Sequence, residues 1–281
     1  MTQMTTCING VAADCIDVSD RGLLYGDGLF ETMAVHNGRV VSWPRHMARL
    51  LAGCERLGIP AVDTVQLAQE ADGLLAGAVR GVLKIIVTRG SGGRGYHVPE
   101  AVAPRRILQL HPWPDFPSTA GEAGVAVRLC SMRLCHNPRL AGIKHLNRLE
   151  QVLARQEWDD PEIPEGLMLD VDEHLVEGTM SNLFLVREEM LLTPDLRRCG
   201  VAGIMRSIVL DLAERLALSA RIQPLDITDL QAADEVFLCN SLFGIWPVSA
   251  VEGRRYRRGA ITTHMQRLIQ TGEDNGDVWR P

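Results

Sequence analysis

The chain is short of lysine. Of 29 basic residues only two, Lys84 and Lys144, are lysines; the rest are arginines. Arginine stays protonated, whereas a desolvated lysine can lose its proton, attack a carbonyl carbon and act as a base. A sequence that otherwise avoids lysine directs attention to the two it keeps. Other scarcities exclude whole classes. No apolar run approaches the roughly 18 residues of a membrane span, so no membrane partner is expected. The N-terminal stretch MTQMTTCINGVAADC has no basic flank before an apolar core, so it does not read as a secretory signal. A net charge of −6 gives no basic surface for nucleic acid. The seven cysteines, an odd number without a Cys-x-x-Cys, predict buried thiols in a reducing cytoplasm. The eight histidines show no His-Glu-x-x-His spacing, and no metal site is expected.

What is present is a length of 281 residues, enough for two domains with separate cores. The proline-rich stretch His111-Pro112-Trp113-Pro114-Asp115-Phe116-Pro117 reads as a linker. It divides an N-terminal α/β domain, 1–112, from a C-terminal one, 123–281, with 113–122 between. Asn9-Gly10 and Asn37-Gly38 predict hairpin turns. Strands are expected at Leu29–His36, Val82–Val87, Ile107–Leu110, Val125–Cys130, Gly166–Val171, Leu183–Val186, Glu235–Cys239 and Ile245–Val251. Helices are expected from Trp43, over 65–79, from Met205 to about Leu216, over 228–233 and over 261–269. In Ala141-Gly142-Ile143-Lys144-His145-Leu146-Asn147-Arg148-Leu149, the spacing of Leu146, Leu149, Val152 and Leu153 predicts a helix opened by Lys144.

Several positions suit chemistry, each with a structural alternative. Phe30 and Thr32 share one face of a strand leaving a glycine-rich turn, and Thr32 could line a pocket or simply be half-buried. Arg45 lies in a helix's first turn, where the dipole disfavours a cation; an anionic ligand or plain exposure would account for it. Gly90 to Gly95 match Gly-x-Gly-x-x-Gly, but His97, Pro99 and a strand follow instead of a helix, which excludes a dinucleotide fingerprint. A mobile loop placing Arg94 on a carboxylate, or a flexible surface loop, remain the readings. Glu177 sits among apolar and small polar residues and needs a partner if buried. Gly200-Val201-Ala202-Gly203 before a helix can make an anion site from backbone N–H groups.

Taken together, these motifs resemble the fold-type IV pyridoxal-phosphate enzymes, the branched-chain and D-amino-acid aminotransferase group. The marks are Tyr25-Gly26-Asp27-Gly28, the Arg45 helix start, the Lys144 segment, Glu177-Gly178-Thr179-x-Ser181-Asn182, Gly200-Val201-x-Gly203-Ile204-Met205-Arg206 and Asn240-Ser241. Within the group, Arg89-Gly90-Ser91-Gly92-Gly93-Arg94-Gly95-Tyr96 and Ala141–Leu153 are similar to those of the lyases that split 4-amino-4-deoxychorismate into 4-aminobenzoate and pyruvate, a step towards folate. The resemblance implies two α/β domains with the cofactor between them, in a homodimer. It implies that Lys144 carries pyridoxal phosphate and then moves protons. Glu177 would pair with the pyridine nitrogen, with Thr32 in the catalytic set. Arg45, Asn182, Gly203, Ile204, Met205, Asn240 and Ser241 would hold the cofactor, and Phe30, Arg94 and Tyr96 the substrate. The alternatives are an aminotransferase on the same scaffold and a non-catalytic binding protein of the same fold.

Overall fold

The computed structural model describes residues 5–271. The chain divides into two compact units. One takes in the residues up to Pro114 together with Ile143–Asn147; the other takes in Asp115–Gly142 and the residues from Arg148 onward.

The first unit runs β1 (Thr5–Ile8), β2 (Val11–Ala12), α1 (Arg21–Tyr25), β3 (Gly28–His36), β4 (Arg39–Val40), α2 (Trp43–Leu57), α3 (Thr64–Leu75), β5 (Arg80–Thr88) and β6 (Arg105–His111). Its six strands form one sheet in the order β2-β1-β6-β5-β3-β4. Both hairpins expected from Asn-Gly pairs are present. Ile8 pairs with Val11 and His36 with Arg39, and the two residues between each pair have positive φ, as a primed two-residue turn requires. Period-two alternation puts Leu29, Met33 and Val35 with Leu83, Ile85 and Val87 into a core closed by Met47, Leu50 and Cys54 of α2 and Leu67, Ala71 and Leu75 of α3.

Differences from the sequence reading have local causes. The Ser19–Gly28 stretch contains a short helix, α1, because Asp20 caps it by accepting from the Gly22 N–H at 2.8 Å. Helix α3 stops at Leu75, short of Val79. No helix follows Gly95; the chain runs on to β6, in line with the exclusion of a dinucleotide fingerprint.

The second unit runs α4 (Ala120–Ala123), β7 (Val125–Leu134), α5 (Leu149–Arg155), β8 (Glu165–Asp170), β9 (Leu175–Gly178), β10 (Asn182–Arg187), β11 (Met190–Pro194), α6 (Ile204–Arg215), β12 (Ala220–Gln223), α7 (Ile227–Ala232), β13 (Glu235–Asn240), β14 (Gly244–Val251), β15 (Arg254–Arg255) and α8 (Ala260–Thr271). Strands β10, β13, β14, β7, β8 and β9 pair in succession, and β9 returns to β10 through Glu177 opposite Asn182. The ring of strands therefore closes at two of the residues singled out in the sequence. Leu167, Leu169, Leu183, Leu185, Val236 and Leu238 alternate into one core, while Met168, Cys130, Leu134, Ala154 and Trp158 build another.

The helix expected to open at Lys144 starts instead at Leu149. β4 covers only the far end of β3's outer edge, at Val35 and His36. The vacant near end captures the lysine segment: the Phe30 N–H donates to Lys144 O, and the Leu146 N–H to Gly28 O, both at 3.0 Å. Those backbone bonds compete with a helical turn and win. The expectation of buried thiols holds for five cysteines, but Cys15 and Cys135 are exposed; all seven are unpaired. No helix among the described residues is long and apolar enough to cross a membrane.

Candidate active site

In the first unit the structure brings Phe30 and Lys144 together. The Lys144 Nζ stands 4.3 Å from the centre of the Phe30 ring. Thr32 lies opposite Lys84 across the β3–β5 ladder, and the Lys84 Nζ is 5.5 Å from the same ring. The chain's two lysines thus converge on one aromatic ring. Nothing in the chain's local pattern signals that, because Lys84 reads as a strand residue far from Lys144.

The opposite face of β3 carries an array that sequence reasoning missed. Glu31, 1% exposed, meets the His46 Nδ1 at 2.6 Å and the Arg49 Nε at 2.8 Å, both from α2. Burial pushes the Glu31 carboxyl up, but Arg49 and His46 outweigh it and hold it at about 2. Burial lowers His46 against the upward pull of Glu31, with Arg49 and Lys144 adding to the lowering. Arg45 is half-buried in the first turn of α2, after Pro44. The visible clue was His46 and Arg49, three apart on a face that otherwise buries Met47 and Leu50.

The Arg94 loop is more tightly anchored than its glycines suggest. Arg21, 3% exposed, donates to the carbonyls of Gly95, Tyr96 and His97. The Gly95 N–H donates to the Tyr25 hydroxyl at 3.1 Å, and Tyr25 meets Tyr96 edge to face. At the base of the loop, Arg89 donates to Asp27 at 2.7 Å and to the carbonyls of Leu57 and Gly58. Burial raises the Asp27 carboxyl, yet Arg89 and Arg21 hold it below the usual range. Arg94 and Tyr96 themselves are exposed, so the anchoring fixes the backbone and leaves both side chains reaching outward.

In the second unit Glu177, Asn182 and Gly203 meet around Val201. Glu177, 4% exposed, accepts the Val201 N–H on Oε2 at 2.8 Å. Asn182 donates to Val201 O at 2.8 Å. A Cβ on Gly203 would fall 2.0 Å from Asn182 Oδ1, so only glycine allows this approach. Gly203 is also the N-cap of α6 and brings no capping side chain, so the dipole end at Ile204 and Met205 suits an anion. Asn240 accepts from the N–H groups of Leu242 and Phe243, closing the turn that contains Ser241, and donates to Met180 O.

Two further residues escaped the sequence reading. Glu165, wholly buried, accepts from Thr179, Met180 and Ser181 and so shapes the turn joining Glu177 to Asn182. Arg148 is pushed down by burial and pulled back by Glu177 and Glu150. Gly142 pairs with Val201, and its N–H donates to Gly200 O at 2.9 Å. The strap that holds Glu177 therefore also fixes the residue two before Lys144.

The donor set fits pyridoxal phosphate on chemical grounds. The first unit by itself offers a primary amine beside Phe30; the second by itself offers a carboxylate oriented by Val201 and a helix N-terminus without a side-chain cap for phosphate.

Residues 28–251 match the amino-transferase class IV family. The chain is 35% identical over 268 residues to aminodeoxychorismate lyase of Vibrio harveyi, covering 94% of this chain and 99% of that protein. It is similar to the crystal structure of 4-amino-4-deoxychorismate lyase from Pseudomonas aeruginosa, with a TM-score of 0.92 and 50% identity, covering 95% of this chain and 98% of that one. The branched-chain amino acid aminotransferase of Escherichia coli gives a TM-score of 0.81 at 25% identity, covering 98% and 95%. A match over most of the length, at more than 30% identity to a relative covered end to end, means that this chain belongs to the class IV amino-transferase family.

Proposed function

We propose that the protein is a pyridoxal-phosphate-dependent lyase that converts 4-amino-4-deoxychorismate to 4-aminobenzoate and pyruvate. The observation that carries this reading is its 35% and 50% identity to lyases of that name, against 28% and 25% to the branched-chain aminotransferase of E. coli. Incubating the purified protein with aminodeoxychorismate should yield 4-aminobenzoate and pyruvate in equal amounts. A keto acid formed with loss of the substrate's amine would sink the lyase reading in favour of transamination.

Bound pyridoxal phosphate supplies an electron sink for the pair left when the C–H bond at the amine-bearing carbon breaks. Lys144 would hold the cofactor, and its Nζ, once free, would take that proton. The C–O bond between the ring and the enol-ether oxygen would then break, the departing enolpyruvate would take up a proton to become pyruvate, and the ring would become aromatic. Phe30 and the backbone bonds to β3 keep Nζ in place, while Thr32 lines the same face. Glu177 would pair with the pyridine nitrogen and keep it protonated. Ile204, Met205, Gly203, Asn182 and the Asn240-Ser241 turn, with Arg45, would hold the rest of the cofactor. Lys84 and Arg94 supply cations for the substrate's two carboxylates, with Tyr96 beside Arg94.

Glu177→Gln tests the carboxylate. Its amide oxygen can still accept from Val201, so the fold and cofactor retention should persist. Losing a charge-assisted contact of roughly 1.5–3 kcal/mol should cut turnover at least about tenfold. Unimpaired turnover would make Glu177 a structural residue only.

The two arginines should fail differently. Arg45→Ala should weaken cofactor retention and be partly rescued by added pyridoxal phosphate. Arg94→Ala should keep the cofactor's colour and raise KM, and Arg94→Lys should recover little because the guanidinium fork is lost. If Arg45→Ala retained cofactor normally, Arg45 would not be the phosphate's cation.

We also place the enzyme in the cytoplasm as a homodimer. Leu149, Val152 and Leu153 of α5 are 68%, 49% and 43% exposed, an apolar face that a second copy of this chain would cover. Leu153→Asp should shift the sedimentation coefficient from dimer towards monomer. A monomeric unaltered chain would refute the assignment.

A further inference from the structure

Away from the residues assigned to the cofactor, three side chains of unlike chemistry meet at the C-terminal end of β8. His136 follows β7, Asp170 ends β8, and Cys199 precedes the strap that holds Glu177. Their candidate donor atoms lie within 4.8 Å of one another. We propose that His136, Asp170 and Cys199 form a binding site for a borderline-soft divalent cation of the zinc class. The proposal does not depend on the lyase reading.

The chemistry of the set favours such an ion. Imidazole nitrogen, carboxylate oxygen and thiolate sulfur are the three donor types that zinc accepts, and oxygen-preferring magnesium or calcium would not use the thiol. In a tetrahedral site the ligand atoms stand roughly 3.3–3.8 Å apart, given bonds of about 2.0–2.3 Å. The His136 Nε2 is 2.8 Å from Asp170 Oδ2, so that edge must open slightly while the edges to sulfur close by about 1 Å or less. The second Asp170 oxygen is already oriented by the N–H groups of Asp172 and His174, both at 2.9 Å. That leaves Oδ2 to serve the ion, with the carboxylate held as ligating carboxylates commonly are. The His174 Nδ1 stands 3.6 Å from Asp170 Oδ1 on a side chain 37% exposed; it or a water can complete the coordination. His136, at 18%, gives a route in from solvent.

Ligation requires the thiolate. Near neutral pH the cation must displace the thiol proton, so about one proton should leave for each cation bound. The site also bears on the strap. Arg198 O accepts from the Asn137 N–H, and Gly200 O from Gly142, while Val201 donates to Glu177. An ion held by Cys199 and His136 would tie both sides of this strap together.

The test uses the holoenzyme after chelation and dialysis, titrated separately with Zn2+ and Co2+. Expected are about one equivalent of Zn2+ per chain with release of about one proton, and a thiolate-to-cobalt charge-transfer band with Co2+. Cys199→Ser should abolish the band, and His136→Ala should weaken zinc affinity at least about tenfold. If either variant does not fold, Cys199→Ala and His136→Gln replace them. Absence of the band in the unaltered chain, or a band and an affinity that survive in both variants, overturns the site.

Discussion

Lys144→Ala should lose turnover by about 10²–10⁴-fold or more, the range for removal of a positioned proton-transfer group, and should no longer hold the cofactor covalently. The expectation rests on two independent facts. Arginine supplies nearly all the positive charge of this chain, so Lys144 is kept for something other than charge. Its segment is also taken out of helix geometry, by the Phe30 N–H on Lys144 O and the Leu146 N–H on Gly28 O, and the Lys144 Nζ stands 4.3 Å from the centre of the Phe30 ring. Borohydride reduction of the holoenzyme followed by peptide mapping should place the label on Lys144. The informative rival is Lys84, whose Nζ approaches the same ring at 5.5 Å. A label on Lys84 would require the roles of the two lysines to be exchanged. Added primary amines should restore part of the lost turnover in Lys144→Ala, because a diffusible amine can take over the proton transfer but not the positioning.

Glu31→Ala should destabilise the protein by about 3–5 kcal/mol, because it leaves the Arg49 guanidinium half of a buried pair uncompensated. Both shifts in this array act in the same direction with pH. Glu31 is depressed from 4.5 to about 2, so its contribution is complete above about 4.5 and is lost as the pH falls through 2. His46 is depressed below 6.5, so the unfolded chain takes up its proton first and stability starts to fall as the pH drops through 6.5. Urea unfolding between pH 8 and pH 3 should therefore show stability declining from about pH 6.5 downward, more steeply below 4.5. Glu31→Gln should flatten the lower part of that decline. A flat profile in the unaltered chain would mean that the array contributes no net stability. Because His46 feels the Lys144 charge, Glu31→Gln is also expected to alter the pH profile of turnover, an effect that loss of stability alone would not produce.

Local structure in this chain is written in short-range signals. The Asn9-Gly10 and Asn37-Gly38 turns need positive φ at adjacent residues, and that preference lies in the residues themselves. The apolar stripe of α2 and the alternation in β3 and β5 are equally local, so the sequence determines which faces are buried. The sequence also singled out Lys144, Glu177 and Gly203 by their residue types and neighbours, and Asn182 through the family motif it resembles. Tertiary structure decided the rest. The periodicity after Lys144 favours a helix, but an open strand edge offered its backbone better partners, and a distant edge leaves no trace in local periodicity. Glu31, Glu165 and Arg21 look like ordinary charges until folding buries each beside partners 14 to 76 residues away. The meeting of Lys84 with Lys144, and of His136, Asp170 and Cys199, likewise depends on strand pairing over long separations. A buried charge is tolerable only with its partner in place, and that partner is chosen by the fold rather than by its neighbours in the chain.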